Sequence, residues 1–453
     1  MRPDEDGYLL IEPPGERFGA LLSQRRAEPV WAGAARFRQQ MGLPERRPLV
    51  MAGHQAGLWH AGIAAKYFAV RALEDVAATA WLVADLDEND VAHVRIPAQD
   101  GRGVWAGQRL NLAESDDGHP DAACGFRPPV AVRRDVPERA HLAGEAMGRA
   151  RAGARTLGEQ GHRAAEIVLE SAGIGLVRPV VYGSTTARTD LFGELVRRMC
   201  QDPEACVRAY NAAAEAFAGA GVRALMCRSD RGRFELPIWR VGMNQPRLPV
   251  IVERGQKMDC DGLAPRGLLM TGMLRLAGCE LFIHGTGGQA YDWVTQRWLS
   301  TWLGPEAALA PSAVVSATRL LDLGVEPTDR KAVARAVAAA HRARHDPALL
   351  GDEEGGRRKR ALVAAIERGS RRSGERARAF DDLHALLRAS VRDHADALQR
   401  LDEQVGRLKS ALASSQAAAD RTWSIALHEP ATLRALDGQV RAALAQAASR
   451  TMA

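Results

Sequence analysis

The sequence predicts an α/β protein with a parallel-sheet core, a helical insertion and a C-terminal α-helical coiled coil. Three observations carry that expectation. Short apolar runs of strand length recur through the first two thirds of the chain, several of them ending in glycine, histidine or aspartate, the pattern of strands buried on both faces. Between them lie segments with apolar residues at i, i+3 and i+4, the spacing of a helix with one buried face. From Phe380 the pattern changes. Phe380, His384, Leu387, Val391, His394, Leu398, Leu401, Val405, Leu408 and Leu412 step by alternating fours and threes, the heptad signature of a coiled coil, pairing within the chain or with a second copy.

Composition narrows the class. A chain of 453 residues, 46% of them hydrophobic, supports two or three domains or one large core with insertions. No apolar run approaches the ~18 residues of a membrane span. The start of the chain carries Asp4, Glu5 and Asp6 in place of an apolar signal segment. The six cysteines form no CxxC pair, which fits a reducing compartment, so a cytoplasmic location is expected. A net charge of +6 favours a nucleotide or acidic small-molecule substrate without demanding nucleic acid.

Taken in order, residues 1–97 form the first half of the core. They begin with an arm of two short helices around Phe18–Leu22 and Trp31–Met41. Leu49, Val50, Met51 and Ala52 then make a strand, which runs into a glycine loop, Gly53-His-Gln-Ala-Gly-Leu-Trp-His-Ala-Gly62, and a helix marked by Ile63, Tyr67 and Val70. A second strand, with Trp81, Leu82 and Val83, ends in Asp85-Leu-Asp87. Residues 98–170 lose apolar density and read as an insertion covering the crevice. Residues 171–303 supply the second half of the core: a strand ending near Ser184, helices from Asp190 and Asn211, a strand over 222–227 and a β-hairpin turning at Asn244-Gln-Pro246. A helix with Pro265 at its start follows, then a strand, Glu280-Leu-Phe-Ile-His284, that opens into Gly285-Thr-Gly-Gly288. Residues 304–379 read as linker and basic helices, 380–420 as the coiled coil, and 421–453 as a segment returning to the core, led by Arg421-Thr-Trp-Ser-Ile-Ala-Leu427.

The candidate chemistry sits on the two glycine loops. Gly53, Gly57, Gly62, Gly285, Gly287 and Gly288 leave backbone N–H groups open at strand-to-helix turns, where a helix N-terminus favours anions. His54, His60 and His284 add donors that would stabilise charge developing on a phosphate, and Lys66, one turn into the helix, adds a cation. Each histidine also fits a polar loop residue bonded to backbone. Asp85 and Asp87 fit contacts to a substrate amine or a metal, and equally a helix N-cap. Asp292 fits a ribose hydroxyl or a helix cap. The basic run at 357–378 lacks interleaved aromatics, so a solvated face is the expectation there and nucleic acid is not. No cysteine and histidine spacing marks a metal site.

The order of these motifs resembles the bacillithiol-biosynthesis cysteine-adding enzyme (BshC) family. Gly53-His-Gln-Ala-Gly-Leu-Trp59 is similar to that family's GQQPGLFGGP-type loop, Trp81-Leu-Val-Ala-Asp-Leu-Asp87 to its W-x-A-x-E-D strand end, and Ile283-His-Gly-Thr-Gly-Gly-Gln-Ala-Tyr291 to its GPGEIAY-type loop; a coiled coil follows in both. The resemblance spans most of the chain. His54 stands in place of a Gln, Trp59-His60 in place of Phe-Gly, and Gln289 or Ala290 in place of the family's Glu. The family's Rossmann-like core is related to class I aminoacyl-tRNA synthetases. His60-Ala-Gly-Ile63 is similar to half of their HIGH signature, and His284-Gly-Thr-Gly-Gly288 resembles the cysteinyl enzyme's HGGG loop, while no convincing KMSKS motif is present. The resemblance implies a carbon–nitrogen ligase that joins an amino acid, cysteine in the family, to an amino-sugar acceptor with ATP and magnesium. His54, Gln55 and His60 would line the phosphate site. His284 and the second glycine loop would line the adenosine site. Asp85, Asp87, Trp59 and Tyr291 would meet substrate. The alternative from another class is a nucleotide- or metabolite-binding protein without turnover. A homodimer through 380–415 is expected in either case.

Overall fold

Leu49, Val50, Met51 and Ala52 are all fully buried, and alternate ones face opposite ways. Val50 and Ala52 join one hydrophobic core, Leu49 and Met51 the other. Trp81 and Val83 divide from Ala80 and Leu82 in the same manner. This is the period-two signature of a sheet covered by helices on both faces. In the computed structural model, which describes residues 2–27, 31–45, 48–87, 90–115, 119, 121–304 and 307–451, those strands belong to a six-stranded sheet. Its strands are β1 (Leu9–Glu12), β2 (Leu49–Gln55), β3 (Ala78–Ala84), β4 (Val180–Tyr182), β5 (Leu281–His284) and β6 (Ser312–Ala317).

The spatial order is β1-β6-β5-β2-β3-β4. All neighbours are parallel except the edge strand β1, which runs antiparallel to β6. The chain proceeds outward from β2 through β3 to β4, then returns to the other side of β2 to build β5 and β6. The switch point therefore falls between β2 and β5, and a crevice opens at the carboxyl ends of those strands. On one face lie α1 (Ala61–Ala72) and the helices Leu157–Ser171 and Pro430–Thr451. On the other lie Ala34–Met41, Asp190–Gln201, Pro203–Ala216, α2 (Gly267–Met273) and α3 (Thr286–Leu303). A buried ion pair ties β5 to this second face. Glu280 receives two hydrogen bonds from Arg38, at 2.7 and 2.9 Å, and a third from the Leu49 amide at 2.7 Å.

The chain divides into two units. The first contains the sheet and comprises Met1–Ile96, Arg109–Leu321 and Arg421–Ala453. The second comprises Pro97–Gln108 and Asp322–Asp420 and is built from the helices Arg330–Ala343, Glu353–Arg368, Gly374–Asp393 and Ala395–Ala418. Its inner two pair with each other, Glu353–Arg368 on Gly374–Asp393, and its outer two pair across them in sequence, Arg330–Ala343 on Ala395–Ala418.

Several expectations change here. The heptad stretch is not a continuous coiled-coil helix. It breaks at His394 (φ −114°, ψ 29°), and each half packs on an earlier helix of the same chain. Leu398 is buried, whereas Phe380 and Val391 remain 40% and 38% exposed. Residues 312–317, within the expected linker, form β6, and the N-terminal arm contributes β1. The stretch 222–227 keeps only the two-residue strand Cys227–Arg228. The hairpin forms as Arg233–Arg240 against Leu248–Glu253, with a bulge between Glu235 and Trp239.

Candidate active site

β2 and β5 deliver the two glycine loops to one cavity of about 770 Å³ at the switch point, within the size range of small-molecule sites. From the first loop it is lined by Gly53, His54, Gln55, His60, Gly62 and Lys66. From the second it is lined by His284, Gly285, Gly287, Gly288, Tyr291 and Asp292, and Asp87 reaches it from the end of β3. The three histidines thus share one crevice although His60 and His284 stand 224 residues apart (284 − 60).

The first loop depends on close backbone approach. A Cβ at residue 53 would lie 2.6 Å from the Leu82 Cβ and 2.7 Å from the Leu82 carbonyl oxygen, so no side chain fits there. His60 is the N-cap of α1: its Nδ1 accepts a hydrogen bond from the Gly62 amide at 3.1 Å. A nitrogen that accepts carries no proton, which places the proton of the neutral ring on Nε2. It also means that one amide of this helix end is already used. His54 is half-buried, and its pKa lies well below the ordinary value. Burial is the main cause, followed by the charges of Lys66 and His60, with partial opposition from the Gln55 carbonyl. Lys66 is 4% exposed. Its Nζ donates to the Gly53 carbonyl at 2.7 Å, and desolvation lowers its pKa from 10.5 to about 7.

The second loop is built differently. α3 begins after Gly285 with no side-chain cap; the Gly288 amide turns back to the Gly285 carbonyl at 3.0 Å, while a Cβ at Gly287 would meet nothing within 4 Å, so that position faces open space. His284 Nε2 lies 3.3 Å from Asp292 Oδ1, at ion-pair distance but not as a well-aligned hydrogen bond. The same Oδ1 accepts from Arg275 at 2.7 Å. Arg275 reaches it from a π-helical turn, Leu274–Gly278, that extends α2. Burial opposes ionisation of Asp292, yet His284 and Arg275 beside it overcome that and hold its carboxyl down to about 2. Asp292 is therefore engaged with His284 and Arg275.

Three predicted residues lie elsewhere. Asp85 is buried and does not line the cavity. Its carboxylate accepts from the Ser184 amide at 2.7 Å and the Ser184 hydroxyl at 2.6 Å, fixing the turn after β4. Desolvation still raises its pKa to about 6 against those hydrogen bonds. Trp59 is a core residue. Its ring packs on Tyr67, Trp81 and His162 at centroid distances of 5.4, 5.0 and 5.7 Å. Gly57, at φ +129°, shapes the loop beneath the cavity lining. Among the described residues of 98–170, none lines the crevice; the helices His141–Arg151 and Leu157–Ser171 pack against the core. Asp87, by contrast, accepts from Gln55 at 3.0 Å and lies 3.6 Å from Arg247.

Other lining residues were not expected. Arg247, at the end of the hairpin turn, donates to the Leu86 carbonyl at 2.7 Å. Arg421 donates to Ser316 Oγ at 3.0 Å. It arrives because the following segment is anchored: Ser424 bridges His60, and the Ile425 amide donates to the Trp59 carbonyl at 2.6 Å. Met270, Thr271, Thr295 and Ser316 complete the wall. Arginine is common in this chain, and nothing local marks these two; only the apolar character of 423–427 pointed to the return of that segment. A second hollow, about 570 Å³, lies in the helical unit among Arg344, Val391, Leu398 and Asp402 and holds no comparable cluster of donors. Among the described residues, no three or more His, Cys, Asp or Glu side chains converge as a metal cage. No helix among them is long and apolar enough to cross a membrane.

No family model matches the chain, and no curated protein matches it. A solved structure from Campylobacter jejuni, provisionally described as an arginyl-tRNA synthetase, is similar over 95% of this chain and 98% of that one, at 11% identity and a TM-score of 0.24. That likeness is too slight to establish a shared fold.

Proposed function

We propose that the cavity binds a nucleotide and that the chain is a carbon–nitrogen ligase, activating the carboxylate of an amino acid with ATP and passing it to an amine. One observation carries this reading. Lys66 and Arg421 line the same cavity as both glycine loops, and the hydrogen bonds of each go to neutral oxygens, with no carboxylate partner among the described residues. Two cations left without counter-charge in a site walled by protein favour a ligand that brings negative charge. The Gln55–Asp87 pair and the half-exposed Tyr291 ring at 46% supply a carboxylate for an amine and a surface for a sugar. That combination suits the amino-sugar acceptor and cysteine donor implied by the motif resemblance.

In this reading the polyphosphate lies along Lys66 and the start of α3. His60 stands beside it at the N-cap of α1. His284, held by Asp292, keeps or moves a proton at its remaining nitrogen as charge develops. Magnesium would enter with the nucleotide. The test is amino-acid-dependent exchange of labelled pyrophosphate into ATP, with each amino acid in turn, on wild type and His284→Ala. Exchange with cysteine that falls at least about tenfold in the variant supports the reading. Absence of exchange with every amino acid, together with absence of ATP binding at millimolar concentration, sinks it.

A further inference from the structure

The amine of Lys66 can form three hydrogen bonds and forms one, to the Gly53 carbonyl. Its side chain is 4% exposed, and no carboxylate stands at ion-pair distance among the described residues. Its stem lies against the N-cap of α3: a Cβ at Gly285 would be 3.7 Å from the Lys66 Cδ. That helix end has no side-chain cap and opens on the cavity. A buried amine with a single protein hydrogen bond and a helix N-terminus without a side-chain cap therefore share one corner.

We infer that an oxyanion of the phosphate class docks in this corner, between Lys66 Nζ and the Gly285–Gly288 turn, and that a proton is taken up onto Lys66 as it binds. This rests on the reading of the cavity as a nucleotide site and adds the proton that accompanies the anion. In the empty cavity the groups facing Lys66 oppose its charge or leave it uncompensated. His54 and His60 come from its own loop. Asp87 is partnered by Gln55 and Arg247, Asp292 by Arg275 and His284, and Arg421 is itself a cation. Desolvation lowers the amine to about 7, so at pH 8.5 most of it carries no proton. An oxyanion against Nζ supplies the missing counter-charge and the missing acceptors, and the protonated form becomes the stable one. The chemistry balances simply: one proton leaves the buffer and joins the lysine, and no covalent bond to the ligand forms.

The test is titration calorimetry of the full chain with pyrophosphate and with ATP, each in two buffers of different ionisation enthalpy, at pH 6.0 and 8.5. The expected result is uptake of about one proton per ligand at pH 8.5 and almost none at pH 6.0. Lys66→Arg, which stays charged, should bind at pH 8.5 without uptake. Binding with no proton uptake by wild type at pH 8.5 overturns this inference and leaves the nucleotide site standing. Failure of both probes to bind at either pH overturns both.

Discussion

Replacing Lys66 by Met tests how the empty site is held. The lysine lies inside α1 with its amine desolvated and without a carboxylate, and its pKa falls from 10.5 to about 7. Each tenfold change is worth about 1.36 kcal/mol, so the charged amine costs the folded state about 5 kcal/mol below pH 7. Between pH 7 and 10.5 the unfolded chain binds more protons than the folded one, so this penalty shrinks and stability rises as pH rises. Methionine fills similar volume and removes the penalty. It also orphans the Gly53 carbonyl, at about 1–3 kcal/mol. The variant should therefore be more stable than wild type by about 2–4 kcal/mol at pH 6, and the difference should diminish steadily towards pH 10. Urea unfolding of both proteins across that range reads it directly. A variant less stable than wild type at pH 6, or a difference independent of pH, would refute the account of Lys66 as a buried, uncompensated amine.

Other predictions follow from the packing. Glu280→Ala strips the counter-charge from a buried Arg38 and the acceptor from the Leu49 amide, and should cost about 3–5 kcal/mol in denaturant unfolding. Gly53→Ala drives a Cβ into the Leu82 backbone and should lose about 1–3 kcal/mol along with ligand binding, since the loop must shift. Asp292, held at about 2 in the fold against an ordinary 3.8, contributes about 2 kcal/mol above pH 4 that disappears as pH falls through 2. Asp292→Asn should flatten that part of the acid-unfolding curve. For assembly, the Phe380 and Val391 side chains that intrachain packing leaves exposed are proposed to seat a second copy, so sedimentation should find a dimer of twice the 49.0 kDa chain, reduced to monomer by Phe380→Asp with Val391→Asp. Monomer at all concentrations in wild type would exclude association through 380–415.

Much of the sheet was legible in the sequence because strands buried on both faces must be apolar throughout. Leu49–Ala52, Trp81–Val83 and Leu281–Ile283 satisfy that condition and stand out from their surroundings. β4 is only three residues long, and β6, Ser312–Ala317, follows a proline- and alanine-rich stretch that hides it. The heptads were real as spacing but misleading as architecture. The same apolar stripe serves a partner from any source, and in this fold two earlier helices of the same chain, Glu353–Arg368 and Arg330–Ala343, take it. Asp85 and Asp87 illustrate the limit most directly. They are the same residue type, two positions apart at the end of one strand, yet Asp85 is spent on Ser184 while Asp87 faces the cavity.

What the sequence determined by itself is local: glycine where backbone must approach backbone, apolar runs where two faces are covered, and histidines placed at strand ends beside helix starts. These follow from chain geometry and hydrophobic period, which any short stretch carries within itself. The tertiary structure alone decided that the loops at 53–62 and 284–288 meet, because their meeting depends on β5 returning to lie beside β2. It decided that Arg247 and Arg421 join them, that Asp292 is spent on His284 and Arg275, and that Lys66 has no carboxylate partner among the described residues. Charge compensation is a sum over neighbours from distant parts of the chain, and no local pattern contains that sum.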